Sequence, residues 1–165
     1  MRDIRLLDTP FDPAAAIAAL CDRTAEAGGI ASFIGQVRIG DHGDARVTAL
    51  ELTHYEPLTR PAMVELGDAA MARFGLCGLV MLHRIGRLSP GDPIVCVGAA
   101  ARHRRGAIEA VDYCMDHLKS AAWFWKRELR GGQIDEKGSG EWHWIEPRPA
   151  DHADLARWDQ KTGPV

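Results

Sequence analysis

Two lysines stand seven residues apart near the end of a long apolar-patterned segment, in the stretch LKSAAWFWKRE. Three aromatic residues, Trp123, Phe124 and Trp125, lie between Lys119 and Lys126. An ammonium group that loses part of its hydration among aromatic side chains has a lowered pKa, so it can act as a nucleophile or as a general acid and base. The stretch therefore indicates acid–base or covalent chemistry, against the plainer interpretation that tryptophans at this spacing are core residues.

Helical spacing indicates the direction in which Lys119 points. The residues that share the predicted buried face of its helix are Ile108, Val111, Met115 and Leu118. Lys119 follows Ile108 by eleven residues, which places it about 20° from Ile108 around the helix axis. Two outcomes stay open. The lysine extends outward at the helix end, where a cation interacts favourably with the helix dipole, or it lines a partly dehydrated pocket. Lys126 reaches the same place if the chain turns after Ser120.

A cluster of basic residues precedes the same helix. Its members are Arg102, His103, Arg104 and Arg105. A helix N-terminus carries partial positive charge and favours acidic neighbours, so each exposed basic residue there costs on the order of a few tenths of a kcal/mol. A bound phosphate or carboxylate compensates for that cost, and the cluster indicates an anion site. The alternative is a solvated cluster that pairs with acidic residues elsewhere.

The composition excludes several classes of protein. The chain of 165 residues is 46% hydrophobic and 26% charged, which is typical of one globular domain with a sizeable core. Its formal net charge of −3 provides no overall basic field for nucleic acid. No apolar run approaches the ~20 residues of a membrane-spanning helix. The N-terminal residues lack the apolar segment of a secretion signal, so we expect a cytoplasmic protein.

The cysteines and histidines form no metal-binding pattern. The four cysteines are Cys21, Cys77, Cys96 and Cys114. None belongs to a C-x-x-C pair, and all but Cys77 lie in apolar-patterned segments, so we expect buried free thiols rather than a disulfide framework or a zinc site. Three histidines that could attract attention are His54, His83 and His117. They have no partners at metal-ligand spacing, so we interpret them as structural or exposed and expect no metal.

The order of the remaining patterns predicts an α+β domain. The strand candidates are 4–7, 30–38, 45–55, 79–88, 93–101 and 141–146, and the helix candidates are 11–29, 59–75 and 105–120. Asp12 and Thr59 are the predicted N-caps, and Gly75 is a predicted C-terminal stop. Because helices and strands do not alternate strictly, the order favours α+β over a doubly wound sheet. We expect one catalytic domain over 1–145, containing a loop at 131–140, and a tail over 146–165 with the pattern of a short helix.

Four segments together resemble the MoaE family, the large catalytic subunits of molybdopterin synthase. They are ASFIGQVR at 31–38, LHRIGRLSPGD at 82–92, VGAAARHRRGAIEA at 97–110 and MDHLKSAAWFWKRE at 115–128, with a weaker match at WHWIE. Each segment alone is a weak signal, but their order and spacing are specific. The chain differs from the family pattern at Trp123, where members commonly carry proline, in the residues after Arg38, and in a longer stretch before WHWIE.

The resemblance implies a fold, an assembly and a reaction. It implies an α/β-hammerhead fold, with a mostly antiparallel sheet, about three helices and a small β subdomain. It implies a homodimer within a heterotetramer, in which each subunit binds a small β-grasp, MoaD-like partner that carries sulfur as a C-terminal thiocarboxylate. The enzyme would be a sulfurtransferase that converts cyclic pyranopterin monophosphate into the dithiolene of molybdopterin. No cofactor is implied, because the partner supplies the sulfur.

The resemblance also implies roles for particular residues. Lys119 and Lys126 match the catalytic lysines of the family. The residues implied for substrate binding are Gln36, Val37, Arg38, His103, Arg104, Lys119, Lys126, Arg127 and Glu128. The phosphate of the implied substrate suits the anion site inferred at the start of the third helix.

Two other functions stay open. A nucleotide- or RNA-binding module would use the basic cluster and exposed tryptophans for stacking, and the net negative charge argues against it. A degenerate subunit would keep the dimer and bind the sulfur carrier without turnover, and the intact lysines argue against that.

Overall fold

A computed structural model describes residues 1–38, 41–42, 45–120, 123–131, 141–146 and 149–158. In chain order the described elements are β1 (Arg2–Leu7), α1 (Pro13–Asp22), β2 (Gly29–Gln36), β3 (Asp41–His42), β4 (Ala45–His54), α2 (Glu56–Phe74), β5 (Leu76–Arg84), β6 (Gly86–Leu88), β7 (Pro93–Ala101), α3 (Arg104–Ser120), β8 (Phe124–Arg130), β9 (Glu141–Ile145) and α4 (Pro149–Ala156). The loop predicted at 131–140 lies outside the described residues except for its first residue. None of the described helices is long and apolar enough to cross a membrane.

The strands form two sheets. The first sheet has the order β1-β5-β7-β2, and the second has the order β3-β4-β8-β9 with β6 paired to β4. β1 runs parallel to β5, whereas every other described pair is antiparallel. The prediction of an α+β fold with a mostly antiparallel sheet and a small β subdomain is confirmed, with α4 as a fourth helix.

Helices cover both faces of the first sheet. α2 and α3 pack on one face and α1 on the other, and each face has its own apolar cluster. The central strands β5 and β7 are therefore buried along most of their length, as expected for strands covered on both sides. A third cluster, which contains Val37, Leu50, Leu52 and Leu88, joins the second sheet to the first.

The cap predictions for the first two helices have different outcomes. Asp12 caps α1 as predicted and accepts hydrogen bonds from the N–H groups of Ala14 and Ala15. The predicted N-cap at Thr59 is wrong, because α2 begins three residues earlier at Glu56. Pro57 fits the first turn, where a helix needs no N–H donor. Gly75 ends α2 as predicted, with a φ of 58° in the left-handed region.

The buried face of α3 is displaced from the predicted one. Val111, Met115 and Leu118 are buried, but Ile108 is 51% exposed. The helix instead packs small residues such as Ala107 and Ala110 against the sheet, which allows a close approach of the two backbones. The prediction that Ile108 is a core residue is therefore wrong.

The cysteines differ in burial. Cys96 and Cys114 are buried free thiols, and loss of hydration raises the pKa of Cys96 to about 11 and that of Cys114 to about 12. Cys77 is half-buried and Cys21 is exposed. The expectation of burial is wrong for Cys21, because Leu20 is the residue of that turn that faces the sheet, and Cys21 projects about 100° further round the helix.

A tryptophan near the C-terminus belongs to the main core. Trp158 is 3% exposed and packs edge-on against Phe74 and Tyr113. Its indole N–H donates to Asp116 Oδ2 at 2.7 Å, and Arg157 donates to the same oxygen from Nη2 at 2.6 Å. These contacts bind the residues after α4 to the C-terminal part of α3.

Candidate active site

Two ends of the first sheet carry the predicted site residues. In the antiparallel pair of β2 and β7, Gly29 lies opposite Ala101 and Gln36 lies opposite Pro93. α3 starts just after β7 and packs back along the sheet, so its last residues return to the end where β2 stops. We call the end marked by Gln36 and Pro93 the lysine end, and the end marked by Gly29 and Ala101 the basic end.

Lys119 lies at the lysine end on the last turn of α3. Its side chain is exposed in the single chain. The predicted phase relative to Ile108 holds, but that side of the helix faces outward rather than toward the sheet. Of the two alternatives for this lysine, the described part of the single chain shows the outward one.

The chain turns after α3 and brings Lys126 back onto the fold. α3 ends at Ser120, and β8 begins at Phe124 and pairs with β4 and β9. The hydroxyl of Thr59 donates to the backbone carbonyl of Trp123 at 2.9 Å and so ties the start of β8 to α2. The helix therefore ends before Trp123, although no proline stands at that position.

Strand alternation places Lys126 on the inner face of the second sheet. Its ladder partners are Leu52 and Ile145, both of which belong to or pack on the third apolar cluster. The side chain is half-buried. Trp125 points the opposite way and is 48% exposed, whereas Trp123 packs against the main core. Lys126 thus fits the predicted environment among apolar side chains better than Lys119 does.

His83, interpreted from the sequence as structural or exposed, also lies at this end. It is 5% exposed, and its ring stacks on Phe124 with centroids 3.9 Å apart and planes 11° from parallel. Nδ1 lies 2.8 Å from the carbonyl oxygen of Arg84, which accepts only, so Nδ1 carries the proton. Burial lowers the pKa of His83 to about 4; the bond to Arg84 opposes this, and the charge of Lys126 adds to it. The ring is neutral at pH 7.

The two residues after Lys126 point to different faces. Arg127 lies on the outer face, where it forms an ion pair with Glu51 and stacks over Trp142 and Trp144, at 4.6 and 5.6 Å from the ring centroids. Glu128 lies on the face of Lys126 and accepts two hydrogen bonds from Arg130. The single chain therefore brings Glu128, but not Arg127, to the side of the sheet on which Lys126 projects.

The segment after β2 is held at the lysine end by backbone hydrogen bonds. Val37 is buried; its N–H donates to the carbonyl of Asp92 at 3.0 Å, and its carbonyl accepts from the N–H of Gly91 at 2.8 Å. Gln36 donates from Nε2 to the carbonyl of Gly91 at 3.3 Å. These bonds place the exposed side chain of Arg38 at the same end of the sheet as both lysines.

His103 and Arg104 lie at the basic end. All four members of the basic cluster are exposed, and the first turn of α3 contains no acidic residue. A Cβ at Gly28 would clash with the carbonyl oxygen of Arg102, so glycine is required where this turn crosses the start of β2. Fifteen helical residues separate Arg104 from Lys119, a distance of roughly 22 Å along the axis. One chain does not bring the basic cluster and the lysines together.

The side chains described offer no alternative metal centre. Among the described residues, no three histidine, cysteine, aspartate or glutamate side chains approach one another closely enough to hold an ion. Acid–base and electrostatic chemistry by cationic side chains is what the lysine end can supply.

Comparison with known proteins gives consistent results. The family model described as MoaE protein matches residues 6–121. A molybdopterin synthase catalytic subunit of Caulobacter vibrioides is 43% identical over 159 residues, which cover 96% of this chain and 99% of that protein. Among solved structures, a molybdopterin biosynthesis MoaE protein from Burkholderia ambifaria has a TM-score of 0.74 and 36% identity, with 96% and 99% of the two chains covered. A complex of subunits 1 and 2 of molybdopterin-converting factor from Helicobacter pylori shares the fold, with a TM-score of 0.66 at 21% identity over 83% of this chain and 97% of that one.

Proposed function

The chain belongs to the MoaE protein family, and on that premise we propose that it is the catalytic subunit of a molybdopterin synthase, an enzyme of molybdenum cofactor biosynthesis. The observation that carries the proposal is the 43% identity to the Caulobacter vibrioides catalytic subunit over nearly the full length of both chains. The presence of Lys119 and Lys126 at one end of the fold supports it. The expected cytoplasmic location stays a prediction.

The proposed reaction is sulfur transfer to cyclic pyranopterin monophosphate. The thiocarboxylate sulfur of a small β-grasp partner attacks an oxygen-bearing side-chain carbon of the pterin. A carbon–sulfur bond forms and links substrate and partner through the acyl group, while the carbon–oxygen bond breaks and its oxygen leaves with a proton supplied by a lysine. Water then cleaves the acyl–sulfur bond, releases the partner as a carboxylate and leaves a thiolate on the substrate. A second partner molecule that carries a thiocarboxylate repeats the step and completes the dithiolene. The Helicobacter pylori neighbour is a complex of two different subunits, which supports a partner of this kind.

The lysines would supply the charge that this chemistry needs. Lys119, exposed at the end of α3, would approach the substrate, stabilise developing negative charge and move a proton. Lys126 would assist from a half-buried position between Leu52 and Ile145, where an ammonium group acts more strongly than in water. Sulfur would arrive on the partner, so this chain would need neither a reactive cysteine nor a bound cofactor.

A second copy of the chain would complete each site. The roughly 22 Å between Arg104 and Lys119 along α3 is too long for one small substrate to span. A homodimer with two-fold symmetry could place the basic end of one copy against the lysine end of the other. His103 and Arg104 of one subunit would then bind the phosphate, while Lys119 and Lys126 of its partner would act on the pterin side chain.

Reconstitution tests the proposed activity. The protein, its thiocarboxylated partner and cyclic pyranopterin monophosphate are mixed, and mass spectrometry follows a product that gains two sulfur atoms. We expect Lys119→Ala to lower turnover at least on the order of a hundredfold, whereas the control Arg23→Ala, exposed beyond the end of α1, keeps it. Absence of product from wild type in a confirmed complex with the partner would show that the fold serves binding alone.

Mixing two inactive variants tests the shared site. If each site combines residues of two subunits, a 1:1 mixture of Lys119→Ala and Arg104→Ala forms mixed dimers in which one of two sites is intact. About a quarter of wild-type activity then returns after subunit exchange. If one subunit supplies the whole site, every site in the mixture is defective and no activity returns.

A further inference from the structure

Among the residues whose side chains are described, His83 is the one buried histidine at the lysine end, and the proposed chemistry gives it no part. Keeping an imidazole neutral inside the protein lowers stability under acidic conditions, and an apolar side chain would avoid that cost. The neighbours of His83 suggest what the ring contributes, because one of its faces and one of its nitrogens each have a defined partner.

The orientation of the His83 ring is determined at two points. Phe124 covers one face in a nearly parallel stack at 3.9 Å, and the proton on Nδ1 is committed to the carbonyl of Arg84 at 2.8 Å. The second nitrogen, Nε2, therefore carries a lone pair and points away from that carbonyl. Rotation of the ring would break the hydrogen bond and the stack together.

The same contacts connect His83 to Lys126. Phe124 and Lys126 are two residues apart in β8, which pairs regularly with β4 over this stretch. Their side chains thus project from the same face about 7 Å apart. The charge of Lys126 is close enough to help lower the pKa of His83. Because this interaction is mutual, a change in the charge or position of the His83 ring acts on Lys126.

We propose that His83 is a positioning residue for Lys126, which it holds at the lysine end by stacking on Phe124 and by presenting an unprotonated Nε2 to that side of β8. The inference rests on the proposed role of Lys126. It goes beyond that role because it assigns a function to a buried residue on β5, in the other sheet. Arg84, the next residue of β5, projects to the opposite face and pairs with Asp92, so of these two neighbouring side chains it is the imidazole that lies on the side of Lys126.

The chain makes a direct test practical because it has only four lysines. Lysine labelled with ¹³C at Cε gives one NMR signal for each, and Lys126→Gln assigns the signal of interest. In His83→Phe, which keeps a flat stacked ring but no nitrogen, we expect the chemical shift and titration midpoint of the Lys126 signal to move while the other three signals stay. In His83→Asn, which can keep the donor toward Arg84 but loses the stack, we expect a larger movement. An unmoved Lys126 signal in both folded variants would overturn the inference.

Turnover and a reciprocal titration complete the test. With the reconstituted enzyme, we expect His83→Phe to lower kcat at least about tenfold and to change KM for the pterin less than about twofold, because the buried His83 has almost no exposed surface with which to contact the pterin. If His83 variants fail to fold, Lys126→Gln still reports the link, since loss of the lysine charge should raise the pKa of His83, and an unchanged value would refute it. Lack of turnover by wild type would refute the proposed function. The NMR signal of Lys126 in the His83 variants would still test the positioning role of His83 independently.

Discussion

Lowering the pH should destabilise the folded protein through His83, because the folded chain keeps this buried ring neutral at pH values where an exposed histidine binds a proton. The group has a pKa of about 4 in the folded chain, against a value of 6.5 for an unperturbed imidazole. Above pH 6.5 the ring is neutral in both states, and its titration does not affect stability. As the pH falls from 6.5 toward 4, the unfolded chain binds a proton and the folded chain does not, so protonation favours unfolding.

The size of the effect follows from the two pKa values. At pH 5 the difference in proton binding lowers the free energy of unfolding by about 2 kcal/mol, and at pH 4 by about 3 kcal/mol. His83→Phe removes the titrating group. We expect the variant to be less stable than wild type at pH 7.5, by about 1 kcal/mol for the lost hydrogen bond to Arg84, and more stable than wild type at pH 4.

Urea unfolding at pH 7.5, 6, 5 and 4 measures this crossover. Carboxylates titrate in both proteins, so their contribution cancels in the difference between wild type and variant. His83→Asn provides a second protein without the titrating ring. The free energy of unfolding of His83→Asn at pH 7.5 will differ from that of His83→Phe. The difference between His83→Asn and wild type should nevertheless change with pH by the same amount as the difference between His83→Phe and wild type. For each variant, the difference in free energy of unfolding from wild type should change between pH 7.5 and pH 4. If both differences stay constant over this range, the buried and neutral state assigned to His83 is wrong.

Two further predictions concern the ends of α3. Trp158→Phe keeps a buried ring but removes the indole donor to Asp116, so urea unfolding should show a loss of about 1 kcal/mol; Trp158→Ala should cost about 3 to 5 kcal/mol, and equal effects of the two would contradict the assigned hydrogen bond. Gly28→Ala adds a methyl group that clashes with the carbonyl of Arg102, and calorimetry should show a loss of about 1 to 3 kcal/mol. Wild-type stability of Gly28→Ala would show that the two backbones are not in close contact.

Local signals predicted the elements of this fold well. Asp12, Gly75 and the apolar runs of β5 and β7 act through neighbours a few residues away, so their meaning is readable in the chain itself. The α+β class followed from the order of these elements. The wrong helix prediction, the N-cap at Thr59, came from a local signal that a distant contact overrides. Thr59 has the chemistry of an N-cap, but its hydroxyl donates a hydrogen bond to the backbone carbonyl of Trp123, 64 positions away.

The candidate site was predictable to a smaller degree. The lysine pair and the basic cluster stood out because cations among aromatics or at a helix N-terminus are unusual choices. Helical phase gave the angle between Lys119 and Ile108, but the side of α3 that faces the sheet depends on small residues meeting a particular strand surface. The pairing of His83 with Phe124 joins β5 to β8, and no local pattern in either strand indicates it.

By itself, the sequence determined which elements form, in what order, and which side chains have the chemistry for anion binding and proton transfer, because propensity, capping and periodicity operate over a few residues. The family resemblance added the expected reaction. Tertiary structure alone decided that Lys126 is half-buried and Lys119 exposed, that His83 is neutral, and that the basic cluster and the lysines lie at opposite ends of one chain. Each of these depends on strand register or helix packing between distant segments, and burial and charge are properties of the neighbours that such packing brings together.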